Sequence, residues 1–583
     1  MDWRSKIFLL FLLAILAGIS MRIYGLRWGL PYHFNGDERF VISMTEKFRS
    51  AESFNQLADQ EMYFFLYPPL LVYILSALIK IVSFFRPFDL TEPTSITLYY
   101  LLGRIVTACF SIATLILVYG MGKRFYNRSV GMLASVFLAF SVLHIRDSHF
   151  YLPEVPYTFF VVLATFLSMG IAEKARTRSY LLTGIATGIG LTIKQTTLMV
   201  LPVILTAHVV GMFRNLQISW NSCRRIFFSL RSWRLLFLPV LIAGLIFLLL
   251  NPFIFLNPRK FLEMYQILHG YVTGTDQPNW TFQFTDTTRL YWFTNLLYFG
   301  MGPLLELTCV IGMIWALVKR KVPDLLLLSF LLPYLYFIGG GYMKFIRYAV
   351  PLLPFLCLLG ARFLLDLYEM ATHKVARTAV VVSMIGVTLA SFLYALAYMN
   401  IYSRGDVRIK ASKWIHKNIP QNSSVLIDSS PATPLLGSTF YNVQLDNYYS
   451  QGWRDLYYKR KDYFKIKVLN LRTVDLIAQK EPISMEWWEN YLKERLEGVE
   501  YIIMSDQYYD LYSHRPDEYP TLNQFYKDLF AGRLGFELIK TFKTYPALLG
   551  FNFNDDRAEM TFRWFDHPKV MIFKRIQAQD QQN

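Results

Sequence analysis

Charge is scarce in this chain. Asp, Glu, Lys and Arg make up 17% of its 583 residues, against roughly 25% in ordinary soluble domains. Cysteine is scarcer still: Cys109, Cys223, Cys309 and Cys357 are the full set. None lies beyond residue 400 and none has metal-ligand spacing, so neither a disulfide framework nor a zinc site is indicated. The polar C-terminal stretch has no Gly-rich phosphate loop and no nucleophile elbow, so neither chemistry is assigned to it.

Apolar residues are plentiful. They are 54% of the chain, aromatics are 17%, and the mean hydropathy is +0.30. Up to about residue 400, apolar runs of roughly 18–25 residues alternate with short charged loops, which is the length that spans a bilayer. From residue 401 the runs shorten and polar residues dominate. The expectation is a polytopic α-helical membrane protein with a C-terminal α/β extracytoplasmic domain. Residues 1–400 form the membrane part and 401–583 the soluble part. The net charge of +17 does not point to nucleic acid, because the basic clusters sit in short loops between apolar runs.

Candidate spans are 6–24, 98–121, 129–146, 154–172, 179–194, 196–213, 235–256, 290–318, 323–341, 346–368 and 378–400, about eleven crossings. The first run has basic residues before it but no small-residue cleavage site, so it is expected to be a retained span. With about eleven crossings, Arg4, Lys6, Lys123, Arg124, Lys174, Arg176, Arg224, Arg225, Lys319, Arg320, Lys374 and Arg377 all fall on the cytoplasmic side. Segments 25–97, 147–153, 257–289, 342–346 and the whole tail are then outside. A further apolar stretch, Pro68–Phe85, opens on two prolines and contains Lys80. It is expected to lie at or dip into the outer surface; full crossing is the alternative. In the tail, helices are expected at Asp406–Asn418, Met485–Leu496 and Leu522–Phe530. Strands are expected at Ser424–Asp428, Glu500–Met504, Phe536–Phe542 and Lys569–Phe573.

Cations on the outer side are the informative exceptions. Arg146 and His149 sit in the turn after the third span, with Glu154 opening the next. Lys194 lies where the fifth span turns into the sixth. Lys344 and Arg347 flank the start of the tenth, and Arg104 lies inside the second. Ionisable groups at such depths are costly and usually pair or serve a site. Several of them on one boundary suit a phosphate whose lipid tail stays in the bilayer. Each also has a plainer role: Arg146 can pair with Asp147 or Glu154, and Lys344 and Arg347 can reach up to headgroups. Asp37-Glu38, shortly after the first span, shares their face. One carboxylate can take a proton from a hydroxyl; the other can hold geometry or bind a divalent metal. No metal ligand set and no cofactor is assigned. The small residues Gly184 and Gly188, four apart, predict close helix packing.

These motifs together resemble the C-type membrane glycosyltransferase superfamily (GT-C). The branch is that of the protein O-mannosyltransferases and the bacterial aminoarabinose transferases. The resemblance is carried by Gly36-Asp37-Glu38, Tyr67-Pro68-Pro69-Leu70, Gly103-Arg104 and Arg146-Asp147-Ser148-His149 with Glu154. It continues through Gly184 to Lys194, Arg347-Tyr348 with Pro351 and Pro354, and Asp566–Val570 near the C-terminus. It implies a dolichyl- or undecaprenyl-phosphate sugar donor, an acceptor hydroxyl on a protein, lipid or glycan, and inversion at the anomeric carbon. It implies Asp37 as base with Glu38 in support. Arg347, Lys194, Arg146, Lys344 and Arg104 would hold donor phosphate, and His149, Glu154 and Tyr67 would bind substrate. Leu66 and Tyr67 replace the acidic residue and lysine expected before the paired prolines in the aminoarabinose branch. That removes one expected phosphate contact, weakens a lipid A assignment and argues against a metal site of that branch's kind. The implied setting is a multi-pass protein of the plasma or inner membrane. The alternative function is a transporter or flippase of lipid-linked saccharide, for which no internal repeat is visible.

Overall fold

The structure is a computed structural model that describes residues 3–32, 34–60, 69–86, 93–213, 229–428, 464–469 and 484–576, with 432, 434 and 436. Tyr67 and the basic residues Arg214, Arg224 and Arg225 lie outside the described residues.

The chain is an integral membrane protein. Among the described residues, eight helices are long and apolar enough to cross a bilayer: Ser5–Ile23, Thr94–Phe125, Glu154–Lys174, Gln195–Phe213, Ser232–Leu250, Val322–Gly340, Ile346–Met370 and Lys374–Asn418. The expected count of about eleven is not reached, because three candidate spans are interrupted or short. The 129–146 run breaks at Phe140–Ser141, where Ser141 is extended. The 179–194 run is helical only over Thr177–Leu191. The 290–318 run breaks at Gly302, whose φ of +84° and following Pro303 start a new helix.

The N-terminal half runs α1 (Trp3–Ile23), α2 (Gly36–Ser50), α3 (Phe54–Gln60), α4 (Leu70–Ser83), α5 (Pro93–Phe125), α6 (Arg128–Ala139), α7 (Val142–Asp147), α8 (Glu154–Lys174), α9 (Thr177–Leu191) and α10 (Leu201–Phe213). At 14 residues, α4 is about 21 Å long, short of a hydrocarbon core of roughly 30 Å. It buries Leu71, Val72, Leu75 and Ile79. Its first amide donates to the Thr192 carbonyl at 3.1 Å, and its Leu71 carbonyl accepts from the Tyr151 hydroxyl at 2.6 Å. The apolar helix is thus laid against the membrane part.

The glycines of α9 pack as their spacing predicts. A Cβ on Gly184 would stand 2.8 Å from the Pro239 Cα, and one on Gly188 3.0 Å from the Ala243 Cα, both in the helix Leu230–Leu250. Only hydrogen side chains permit that approach.

The C-terminal part holds a five-stranded sheet. Its strands are β1 (Ser424–Asp428), β2 (Lys465–Leu469), β3 (Tyr501–Ser505), β4 (Phe536–Phe542) and, after the short pair β5 (Ala547–Leu548) and β6 (Phe551–Asn552), β7 (Val570–Arg575). The order is β2-β1-β3-β7-β4, parallel across β2, β1 and β3 and antiparallel at β7 and β4. Strand side chains alternate between faces, and both faces are apolar. Val425, Ile427, Ile503 and Ile572 pack with Val407, Ala411 and Ile415 of the helix Val407–Asn418. Leu426, Ile502, Met504 and Phe573 pack with Trp488, Leu511 and Phe525 from three helices on the other side. Two buried faces require helices on both, which is the three-layer α/β arrangement.

Candidate functional site

Asn35 caps α2. Its side-chain oxygen accepts from the amides of Asp37 and Glu38, each at 3.1 Å. Both carboxylates therefore lie in the first turn, where the helix dipole favours negative charge. Successive helical residues point about 100° apart, and the two go to different environments.

Glu38 is fully buried. It accepts from Arg104 Nε at 2.8 Å and Nη2 at 2.7 Å, and from the Tyr151 amide at 2.9 Å. Arg104 Nη1 also donates to the carbonyls of Leu26 and Trp28, each at 2.8 Å. The pair ties α2, α5 and the segment after α1 into one unit.

Asp37 is 30% exposed and meets Arg347 Nη1 at 2.7 Å. Arg347 Nε stands 3.6 Å from Glu154 Oε1, and the same oxygen accepts from Lys194 Nζ at 2.7 Å. Four separate elements supply this row. Asp37 comes from α2, Glu154 from the start of α8, Lys194 from the extended residue after α9, and Arg347 from the 3-10 turn Ile346–Leu352. Aromatic faces back the cations: Lys194 Nζ lies 4.8 Å from the Tyr348 ring and Arg347 Cζ 4.4 Å from the Phe345 ring, within cation–π range.

Lys344 is buried, and its ammonium donates to the Tyr342 carbonyl at 3.4 Å. Burial holds its pKa below the ordinary lysine value.

The remaining sequence-derived candidates do not join this row. Arg146 spends its donors elsewhere, on Asp566 at 2.7 Å, Asp147 at 2.8 Å and the Thr561 carbonyl at 2.7 Å. The hydroxyls of Tyr398 and Tyr402 donate to the same Asp566 carboxylate, at 3.1 and 3.2 Å. Arg146 thus anchors the C-terminal part to the membrane part. Both ring nitrogens of His149 lie 2.8 Å from backbone carbonyls, those of Ile145 and Tyr24, and the ring stacks on Tyr402 at 4.4 Å. Arg104 is held by Glu38. Sequence reasoning missed the Asp566 anchor as an interaction; an aspartate far down the chain gives no local sign of a partner 420 residues away. Among the described residues, no three His, Cys, Asp or Glu side chains group as a metal site.

Residues 101–242 match the model of a family described as dolichyl-phosphate-mannose-protein mannosyltransferase. The chain is similar to the C-type membrane glycosyltransferases. The matched stretch contains Arg104, Arg146, His149, Glu154 and Lys194, and excludes Asp37, Lys344 and Arg347. No curated protein matches the chain in sequence. Among solved structures, it is similar to ArnT from Cupriavidus metallidurans bound to undecaprenyl phosphate, at 12% identity and a TM-score of 0.48, covering 98% of each chain. It is also similar to the archaeal oligosaccharyltransferase AglB from Archaeoglobus fulgidus, in complex with an inhibitory peptide and a dolichol-phosphate. There the identity is 13% and the TM-score 0.46, over 88% of this chain and 71% of that one.

Proposed function

We propose that this protein is an inverting membrane glycosyltransferase that takes its sugar from a polyprenyl-phosphate donor and delivers it to an acceptor hydroxyl on the outer face. The observation that carries the reading is the ion-paired row Asp37–Arg347–Glu154–Lys194. It sets one accessible carboxylate beside cations suited to a phosphate.

Asp37 acts as base. It takes the acceptor's O–H proton as that oxygen forms a bond to the anomeric carbon. The bond from that carbon to the phosphate oxygen breaks, and its electron pair leaves with the lipid phosphate. Arg347, Lys194 and Lys344 stabilise the added negative charge, which is where such sites gain most. A donor phosphate takes the place of Asp37 as the partner of Arg347, so the guanidinium keeps an anionic partner throughout. Donor binding then frees the base. Glu154 holds the two cations a fixed distance apart. Arg146, Arg104 and Glu38 serve the frame of the site, and the C-terminal domain, outside the membrane, serves the acceptor side.

The test is Asp37→Asn in purified protein with a polyprenyl-phosphate sugar. Transfer should fall by about 10²–10⁴-fold, the usual worth of a general base, with lipid-phosphate binding retained. Transfer at the wild-type rate removes Asp37 as base.

A further inference from the structure

A second feature lies away from the catalytic row, where the C-terminal domain touches the membrane helices. The β5–β6 hairpin is closed by Leu549 and Gly550, at φ of +49° and +88°. Two positive φ values in a two-residue loop are the geometry that Asn-Gly or Gly-Gly normally fills. Here the first place is leucine, with a side chain 89% exposed, and Phe551 behind it is 76% exposed. The left-handed backbone strains a leucine, and water gives this side chain nothing in return. Hydrocarbon around a leucine returns an amount comparable with that strain.

The surroundings say where the hydrocarbon is. The Ala547 carbonyl accepts from Asn400 Nδ2 at 2.7 Å, and the Phe553 ring lies 5.8 Å from that of Tyr394. Both partners belong to the last membrane helix, Lys374–Arg404. A crevice of about 650 Å³ runs under the hairpin, lined by Met21 of α1, Tyr24 just past its end, Phe392 and Leu396 of that helix, and Leu548 and Leu549. Its volume falls in the range of small-molecule sites, roughly 300–1,000 Å³. From Phe392 to Ser403, both lining the crevice, the helix rises about 16 Å, so the crevice enters the hydrocarbon layer from its edge. The outward sides of α1 and the last helix leave Leu13, Leu16, Ile23, Ile385 and Leu389 exposed, and crevice and hairpin continue that lipid-facing wall. Most of the lining is apolar, with Ser20, Asn400 and Ser403 as its polar members, and it holds no charged side chain; that favours an acyl chain over a charged ligand.

We propose that the Ala547–Asn552 hairpin is inserted into the bilayer leaflet on the C-terminal domain's side, with an acyl chain of a membrane lipid in the crevice beneath it. The hairpin thereby fixes the height of the C-terminal domain above the membrane, independently of which reaction the protein performs.

The test uses Leu549→Cys in the full chain with Cys109 and Cys223 replaced by alanine. The thiol carries an environment-sensitive fluorophore, and the protein sits in phosphatidylcholine–phosphatidylglycerol nanodiscs. Glu537→Cys, exposed on β4, is the aqueous control. The expected result is blue-shifted emission at 549, quenching by an acyl-chain nitroxide lipid severalfold stronger than at 537, and severalfold weaker quenching by iodide. Iodide quenching equal to that at 537 overturns the proposal. So does protection from both quenchers, which assigns the hairpin to a protein partner or a second copy. Phe551→Cys, labelled in the same way, decides the matter if the 549 variant does not fold.

Discussion

Two adjacent carboxylates do different work here because one is buried and the other is not. Glu38 is sealed among Arg104 and the Tyr151 amide, and breaking a buried pair costs about 3–5 kcal/mol. Asp37 is 30% exposed beside Arg347, so when its partner is removed water can still reach its carboxylate. Glu38→Ala should therefore lower the melting temperature far more than Asp37→Ala, read by thermal unfolding in detergent. Removing Arg347 should act on the donor: Arg347→Gln is expected to raise KM for the lipid-linked sugar and to lower kcat, since phosphate charge grows in the transition state. Lys344 adds a pH dependence. Burial lowers its pKa in the free protein, while a bound phosphate favours the charged form and raises it. As pH rises through the lowered value, the free protein loses the proton that donor binding must then recover. The donor KM should accordingly climb at alkaline pH. Lys344→Arg should flatten that limb, because guanidinium does not titrate there.

At the scale of elements, α9 shows how packing sets the site. Its glycines let it lie against the helix Leu230–Leu250, and the residue that leaves its far end is Lys194. Gly184→Leu forces a side chain into the Pro239 backbone, an overpacking that typically costs about 1–3 kcal/mol. The expected outcome is a lower melting temperature together with a raised donor KM, because Lys194 follows three residues after the end of the helix that moves. A change in stability with an unaltered KM would detach α9 from the site. The small-residue spacing of α9 was legible in the sequence. The breaks at Ser141 and Gly302 were not, because hydropathy averages over a run and does not register a single extended or left-handed residue inside it.

For the whole molecule, the joint between its two parts rests on Asp566. Its carboxylate takes Arg146, Tyr398 and Tyr402 at once. Further along, Asn295 Nδ2 donates to the Arg557 carbonyl at 2.6 Å and its side-chain oxygen accepts from the Glu559 amide at 2.9 Å. Asp566→Ala leaves Arg146 buried with only Asp147 for charge, a loss of about 3–5 kcal/mol. Limited proteolysis should then release the 401–583 part while the membrane part stays intact; unchanged resistance would show that the other contacts suffice. Sidedness has its own check. A membrane-impermeant maleimide applied to intact cells should label Glu537→Cys in a cysteine-free background, and labelling only after lysis would place the tail in the cytoplasm and remove the proposed site geometry.

The sequence by itself determined that the chain is membrane-embedded and helical, that a sheet-forming part follows, and that Asp37, Glu154, Lys194 and Arg347 stand out. Those are properties of local composition: run length, period-two alternation, and charge where charge is costly. Which cations share a site was decided only by the tertiary structure. Arg104, Arg146, Lys194 and Arg347 look alike along the chain, each a basic residue at an apolar boundary. They part company because helices separated by tens to hundreds of residues bring Glu38 to the first, Asp566 to the second, and Glu154 to the last two. A buried charge is assigned by its partner, and the partner is fixed by packing.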